Sequence, residues 1–123
     1  MKKETNKRLN EILKRISLEL KKLGISPNRE GYWFLRDGIY ICLQEKRPNL
    51  KITKDIYPRL SAKYNKKISA IEKAIRTSIE KGWTYSDLEY AEKLFANIIP
   101  YNKDRPTNDE FISTVSDYIS LDL

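Results

Sequence analysis

The stretch YWFLRDGIYICL, residues 32–43, is apolar nearly all the way round a helix. A helix on a protein surface confines its apolar residues to one stripe, so this one has to be enclosed by other elements. The rest of the chain offers such elements. Between about residues 3 and 23, Leu9, Ile12, Leu13, Ile16, Leu20 and Leu23 recur at helical spacing, with Lys and Arg on the other side and Gly24 as a C-terminal stop. Pro27 and Asn28 open the enclosed helix, which runs to about residue 45. Gly38 within it costs about 1 kcal/mol relative to alanine, a cost that the close approach of a neighbouring helix would justify.

Pro48 and Asn49 break the chain before a third helix at about 53–64, in which Pro58 either makes a kink or marks the effective start. A short polar turn, NKKIS, leads into ISAIEKAIRTSIEKGW, residues 68–83. Three capping boxes are expected, Ser69 with Glu72, Ser86 with Glu89 and Thr107 with Glu110, each starting a helix. The helix from Ser86 should reach about residue 97, the one from Thr107 about residue 120, and IIPYNKDRP between them reads as a loop. No repeat, low-complexity tract or linker interrupts the pattern. The expectation is one all-α domain over residues 1–123, built from six helices and containing a helix–turn–helix at about 53–82.

The chemistry available to such a domain is narrow. The chain has no histidine, which removes the commonest general base and the commonest zinc ligand. Its one cysteine, Cys42, can form neither an internal disulfide nor a thiolate metal site and is expected to pack in the interior. Four scattered glycines form no phosphate-binding loop. Neither catalysis, a metal nor a cofactor is expected.

Charge points elsewhere. Twenty-four Lys and Arg against 17 Asp and Glu give +7, which favours a polyanionic partner, nucleic acid or an anionic membrane. No apolar run approaches the ~20 residues that cross a bilayer, and MKKETNKRLNEIL lacks the apolar centre of a signal peptide. The first helix is basic and amphipathic but has no aromatic anchor, so it is expected to dock on the domain rather than on a membrane. A cytoplasmic location follows as the expectation.

In IYPRLSAKYNKKISAIEKAIRTSI, a helix, a polar turn and a second helix follow one another, with small residues, Ser61 and Ala74, where the two must cross. Asn65 can take the left-handed backbone of the turn. On the second helix Ile71, Ala74, Ile75, Ser78 and Ile79 form the inward stripe. Ser69, Lys73, Arg76 and Glu80 point outward, with Glu72 and Thr77 on the flanks. That outer face meets either water or, in a helix–turn–helix, the major groove.

The segments LGISPNREGYWFLRDGI, ITKDIYPRLSAKYNKKISAIEKAIRTSIEKGW and RPTNDEFISTVSDYI, in that order, resemble the C-terminal DNA-binding effector domain of the stage zero sporulation master regulator of endospore-forming bacteria. The resemblance covers most of the chain from about Leu23. It implies an all-α, six-helix fold of the winged-helix-like, response-regulator effector class, whose fourth helix enters the major groove. It also implies recognition of a TGTCGAA-like box, often in tandem copies. Glu72, Lys73, Arg76 and Thr77 fall on the family's base-proximal positions. Lys73 stands there for an arginine, Thr77 for a histidine and Ala70 for another arginine, while Glu72 and Arg76 keep the family's residue type. Lysine contacts guanine without the flat two-pronged fork of arginine. The phosphoacceptor receiver domain usual in the family has no counterpart in these residues, as in an excised domain or a stand-alone protein.

The expected function is therefore a sequence-specific, DNA-binding transcription regulator related to sporulation control. Arg76 and Lys73 would read bases. Ser69, Lys66 and Lys67 would hold phosphates at the turn, and Lys103 and Arg105 either do the same or are ordinary solvated cations. Its partner is double-stranded DNA, with RNA polymerase or a second copy on tandem sites as further candidates. The alternative is a protein-interaction module that modulates a full-length relative or RNA polymerase without reading DNA.

Overall fold

The computed structural model describes residues 2–46, 49–96 and 105–123. Among these residues six α-helices lie in the order α1 (Lys2–Lys22), α2 (Glu30–Glu45), α3 (Tyr57–Tyr64), α4 (Ile68–Trp83), α5 (Leu88–Phe95) and α6 (Asn108–Ser120), and a π-helical turn, Ile52–Ile56, leads directly into α3. Among the described residues there is no strand.

Helix α2 is the enclosed one, packed against α1, α3, α4 and α6. Phe34, Leu35, Ile39 and Leu43 are buried from its sides, together with Gly31 and Gly38. Around them gather Ile16, Leu20 and Leu23 of α1, Leu60 of α3, Ile71, Ile75 and Ile79 of α4, and Phe111, Ile112, Val115 and Ile119 of α6. Gly24 takes φ +79°, the left-handed conformation that ends α1 where expected. Cys42 is half-buried against this core, and burial pushes its thiol pKa up.

The two glycines of α2 differ. A Cβ on Gly31 would overlap the Ala74 carbonyl and the Ser78 hydroxyl of α4, so the two backbones approach as closely as they do only because residue 31 has no side chain. A Cβ on Gly38 would meet Ile56 at 3.4 Å and Ile112 at 3.5 Å, which is ordinary contact. The close approach expected at Gly38 is therefore found at Gly31. Likewise Ala74, expected to face Ser61, lies against Gly31, while the Ser61 hydroxyl donates to the Lys66 carbonyl across the turn.

Two expectations about α3 hold. Pro58 sits in its first turn and marks its start, since a residue there has no intrahelical use for an N–H. Asn65 ends it with φ 52°, and residues 65–67 make the turn to α4. Pro48 and the loop residues 98–104 lie outside the described residues, as does Asn97, the expected end of α5.

Of the three capping boxes only the third is present. Thr107 accepts from the Glu110 amide (3.1 Å) and Glu110 accepts from the Thr107 amide (2.8 Å). Ser69 is not a cap. Helix α4 begins at Ile68 behind Lys67, whose carbonyl takes the amides of Ala70 and Ile71 (3.0 and 3.1 Å), so Ser69 is already helical and lacks the extended backbone that a cap needs. Ser86 is not one either. Its hydroxyl donates to the Trp83 carbonyl (2.6 Å), and the next residue, Asp87, caps α5 by accepting from the Tyr90 amide (3.2 Å). Asp87 is held there because its own amide donates to Lys22 at the end of α1 (3.0 Å).

Polar ties orient the helices around α2. Asp37, buried on α2, accepts from Lys63 (2.7 Å) and from the Tyr64 hydroxyl at the end of α3, and Arg36 pairs with it at 3.2 Å. Burial alone would raise the Asp37 pKa, but the hydrogen bonds from Lys63 and Tyr64 and the charges of Lys63 and Arg36 outweigh it and hold the carboxyl below the usual range. Burial and the neighbouring carboxylate together push Tyr64 up to about 12. On α1 a second buried carboxylate, Glu19, binds Arg15 and the Tyr90 hydroxyl of α5.

Two stability predictions follow from these contacts. Gly31→Ala should destabilise the fold by about 1–3 kcal/mol through overpacking, whereas Gly38→Ala should be neutral or stabilise it by up to about 1 kcal/mol through helix propensity; paired urea melts check the order. Because the folded-state pKa of Asp37 is depressed, its contribution is complete above its unfolded pKa and is lost as pH falls through the folded value. Melting temperature should thus decline at acid pH, and Asp37→Asn should both lower the neutral-pH value and flatten that decline.

Candidate nucleic-acid interface

With Ile71, Ile75, Ser78 and Ile79 buried, α4 can only present its opposite side. Ser69, Lys73 and Arg76 are exposed there, and Glu72, Thr77 and Glu80 are half-buried along its margins. The face is bordered by two depressions. On one side a cleft of about 430 Å³ lies between α4 and the first turn of α2, reached by Ala70, Lys73 and Thr77. On the other a groove of about 720 Å³ runs between α4, the π-helical turn and the start of α6, reached by Glu72 and Arg76. The exposed residues of α4 thus form a ridge between two hollows.

The expected residues divide as follows. Ser69, Lys73 and Arg76 share the ridge. Lys66 and Lys67 stand exposed at its N-terminal end, and Lys66 forms an ion pair with Glu30 of α2. Arg76 Nη1 lies 2.7 Å from Glu72 Oε1 one turn back. Their side chains are 51% and 46% exposed, and an ion pair so open to water is worth well under 1 kcal/mol, so the guanidinium can exchange this partner for another. Arg105 stands across the larger groove, with Nη2 3.0 Å from Glu80 Oε1. Lys103 lies outside the described residues.

Sequence reasoning missed two residues. Asn108, at the start of α6, donates its side-chain amide to the Tyr57 hydroxyl (3.0 Å) and to the backbone carbonyl of Glu72 (3.1 Å), fastening α4 to α3 and α6 at once. Burial raises the Tyr57 pKa, so this hydroxyl keeps its proton. Arg29, exposed at the start of α2, lines the smaller cleft opposite Lys73. Asn108 follows the visible Thr107 cap and Arg29 the visible proline turn, but only the folded chain brings either to α4.

The arrangement so far is a ridge of hydrogen-bonding and cationic groups, none needed for packing, on the second helix of a helix–turn–helix. The family model described as sporulation initiation factor Spo0A C terminal matches residues 16–119. The chain belongs to this family. It is a sporulation-related, DNA-binding effector domain, and the family is one of transcription-factor domains rather than enzymes. The match starts at Ile16, the first fully buried residue of α1 among those described, one turn after Ile12 and Leu13, which pack against the core half-buried. No helix among the described residues is long and apolar enough to cross a membrane.

Capping offers a direct check on the two N-termini that bear on this surface. Thr107→Ala should cost about 1 kcal/mol through the lost cap, and it should loosen α6 where it grips α4. Ser69→Ala removes no cap and should leave the melting temperature unchanged; thermal denaturation of the two variants reads both.

Proposed function

We propose that the domain recognises duplex DNA by laying the ridge of α4 in the major groove. Arg76 and Lys73 face base edges, with Glu72 and Thr77 beside them, and Lys66, Lys67, Ser69 and Arg105 lie toward the phosphates. The observation that carries this reading is the freedom of the ridge. Lys73 and Arg76 project from a helix whose packing is completed by its other side, and the hollows along both margins leave room for the two backbones of a groove. Glu72 is the resting partner of the Arg76 guanidinium, weak enough to be exchanged when a base is met. Arginine so placed can pair with guanine through two hydrogen bonds.

A second reading draws on Glu72 and Glu80, whose carboxylates on the same face would repel phosphates. Under it the ridge docks on a protein, with RNA polymerase or a full-length relative as the candidates. Under the first reading a second copy of the chain on a tandem site is a further partner.

The test compares wild type, Arg76→Ala and Lys67→Ala on a duplex selected from a random library and on its single-base variants. Arg76→Ala should lose about 1–3 kcal/mol on the selected duplex and relax preference at one base pair, while Lys67→Ala should weaken all duplexes alike and reduce the salt slope by about one. Uniform loss in both variants would remove Arg76 from base reading. No effect in either would favour the protein-docking alternative.

A further inference from the structure

The smaller cleft beside α4 has features that packing does not use. Its walls are Asn28, Arg29 and Gly31 from the start of α2, and Ala70, Lys73 and Ser78 from α4. Helix α2 begins without a side-chain cap: Arg29 holds the N-cap position in extended backbone, and its side chain takes no first-turn amide. Of the first-turn amides, that of Tyr32 donates to the Arg29 carbonyl (3.1 Å), while those of Glu30 and Gly31 stand at the positive end of a 16-residue helix without a cap from the Arg29 side chain. Arg29 and Lys73 are exposed, and neither forms an ion pair among the described residues. Glu30 also lines the cleft, but its carboxylate is engaged by Lys66.

The independent sign of a ligand is Ser78. Its residue is 1% exposed, and its Oγ has no hydrogen-bond partner, the one such buried side-chain atom among the described residues. A buried hydroxyl left unsatisfied has given up its bonds to water without replacement. A helical serine ordinarily avoids that by donating to the carbonyl one turn back. Here the hydroxyl is turned against Gly31 and into the floor of the cleft.

We propose that this cleft seats one phosphate of the DNA backbone, on the α2 side of the groove that α4 occupies. Arg29 and the amides of Glu30 and Gly31 hold the phosphate oxygens, and the charge of Lys73, directed at the bases, lies close enough to favour an anion there. Ser78 joins from below through a bridging water, which its polar neighbours can hold. The proposal rests on α4 being the recognition helix, because a duplex lying on Ala70, Lys73 and Thr77 passes over the mouth of the cleft. It makes Arg29 a positioning residue: it fixes how deep and at what angle α4 enters, without touching a base.

The experiment replaces the backbone phosphates of a selected duplex by neutral methylphosphonates, one position at a time, and measures binding by wild type, Arg29→Ala and Ser78→Ala. One position should weaken wild-type binding about tenfold, the size of one charge-assisted hydrogen bond, and leave Arg29→Ala nearly unaffected. On the unmodified duplex Arg29→Ala should bind about tenfold more weakly with a salt slope lower by about one. Ser78→Ala should keep or raise the melting temperature while losing roughly threefold in affinity, a fraction of the same hydrogen bond. A hydroxyl that serves packing alone would lose no affinity. If Arg29→Ala and wild type respond alike at every position, or Ser78→Ala binds at full strength, the proposal is overturned. It is equally overturned if inorganic phosphate raises the wild-type melting temperature through Arg29 while no methylphosphonate matters, which would make the cleft a free-anion site. Failure of wild type to bind any unmodified duplex would instead strike at the reading of α4 itself.

Discussion

The contact between Gly31 on α2 and the Ala74 carbonyl on α4 is the constraint from which the rest of the architecture follows. Helix α2 is apolar on most of its circumference and must be covered. Helix α4 covers it at backbone distance, closer than any side chain at residue 31 would permit. Once α4 lies there, Ile71, Ile75 and Ile79 are committed to the core, and Ser69, Lys73 and Arg76 have nowhere to point but outward. The charged ridge is thus a by-product of core packing. Its residues carry no folding duty, which leaves them free to be chosen for what they bind.

Around this contact the polar ties act as orienting devices. Asp37 sits on the buried helix yet takes its partners from the end of α3, next to the turn. It therefore fixes where the turn begins, as Phe34 does from the apolar side by meeting the Tyr64 ring edge-on at 4.9 Å. The Ser61 hydroxyl closes the turn on the Lys66 carbonyl. A helix–turn–helix needs its second helix at a definite angle to its first, and these contacts supply that angle from side chains that never leave the protein.

What could be read in advance was whatever depends on period. The stripes of α1 and α4 and the enclosed character of α2 were legible because 3.6-residue repetition survives any tertiary context. The Thr107 box was legible as well, yet the same four-residue pattern failed at Ser69 and Ser86. A serine three residues before a glutamate also occurs inside a first turn, as Ser69 does, or one residue ahead of the cap, as Ser86 does, and the choice is made by neighbours: the Lys67 carbonyl in one case, the tie between Asp87 and Lys22 in the other. The π-helical turn before Pro58 carries no signature of its own and reads in the sequence as the start of the helix that follows it. Of the candidate site, the outward residues of α4 followed from the stripe alone. Arg29 and Asn108 did not, because each meets α4 across tens of residues of chain.

The grip of Asn108 on α4 falls on the carbonyl of residue 72, not on its side chain. Every amino acid supplies that carbonyl. The side chains along the ridge can be exchanged one by one while the hook that holds the helix finds the same atom in the same place. Ala70, Lys73 and Thr77 can be exchanged in this way without touching the mount. The outward vocabulary of this helix is free to drift without disturbing the grammar that holds it in place.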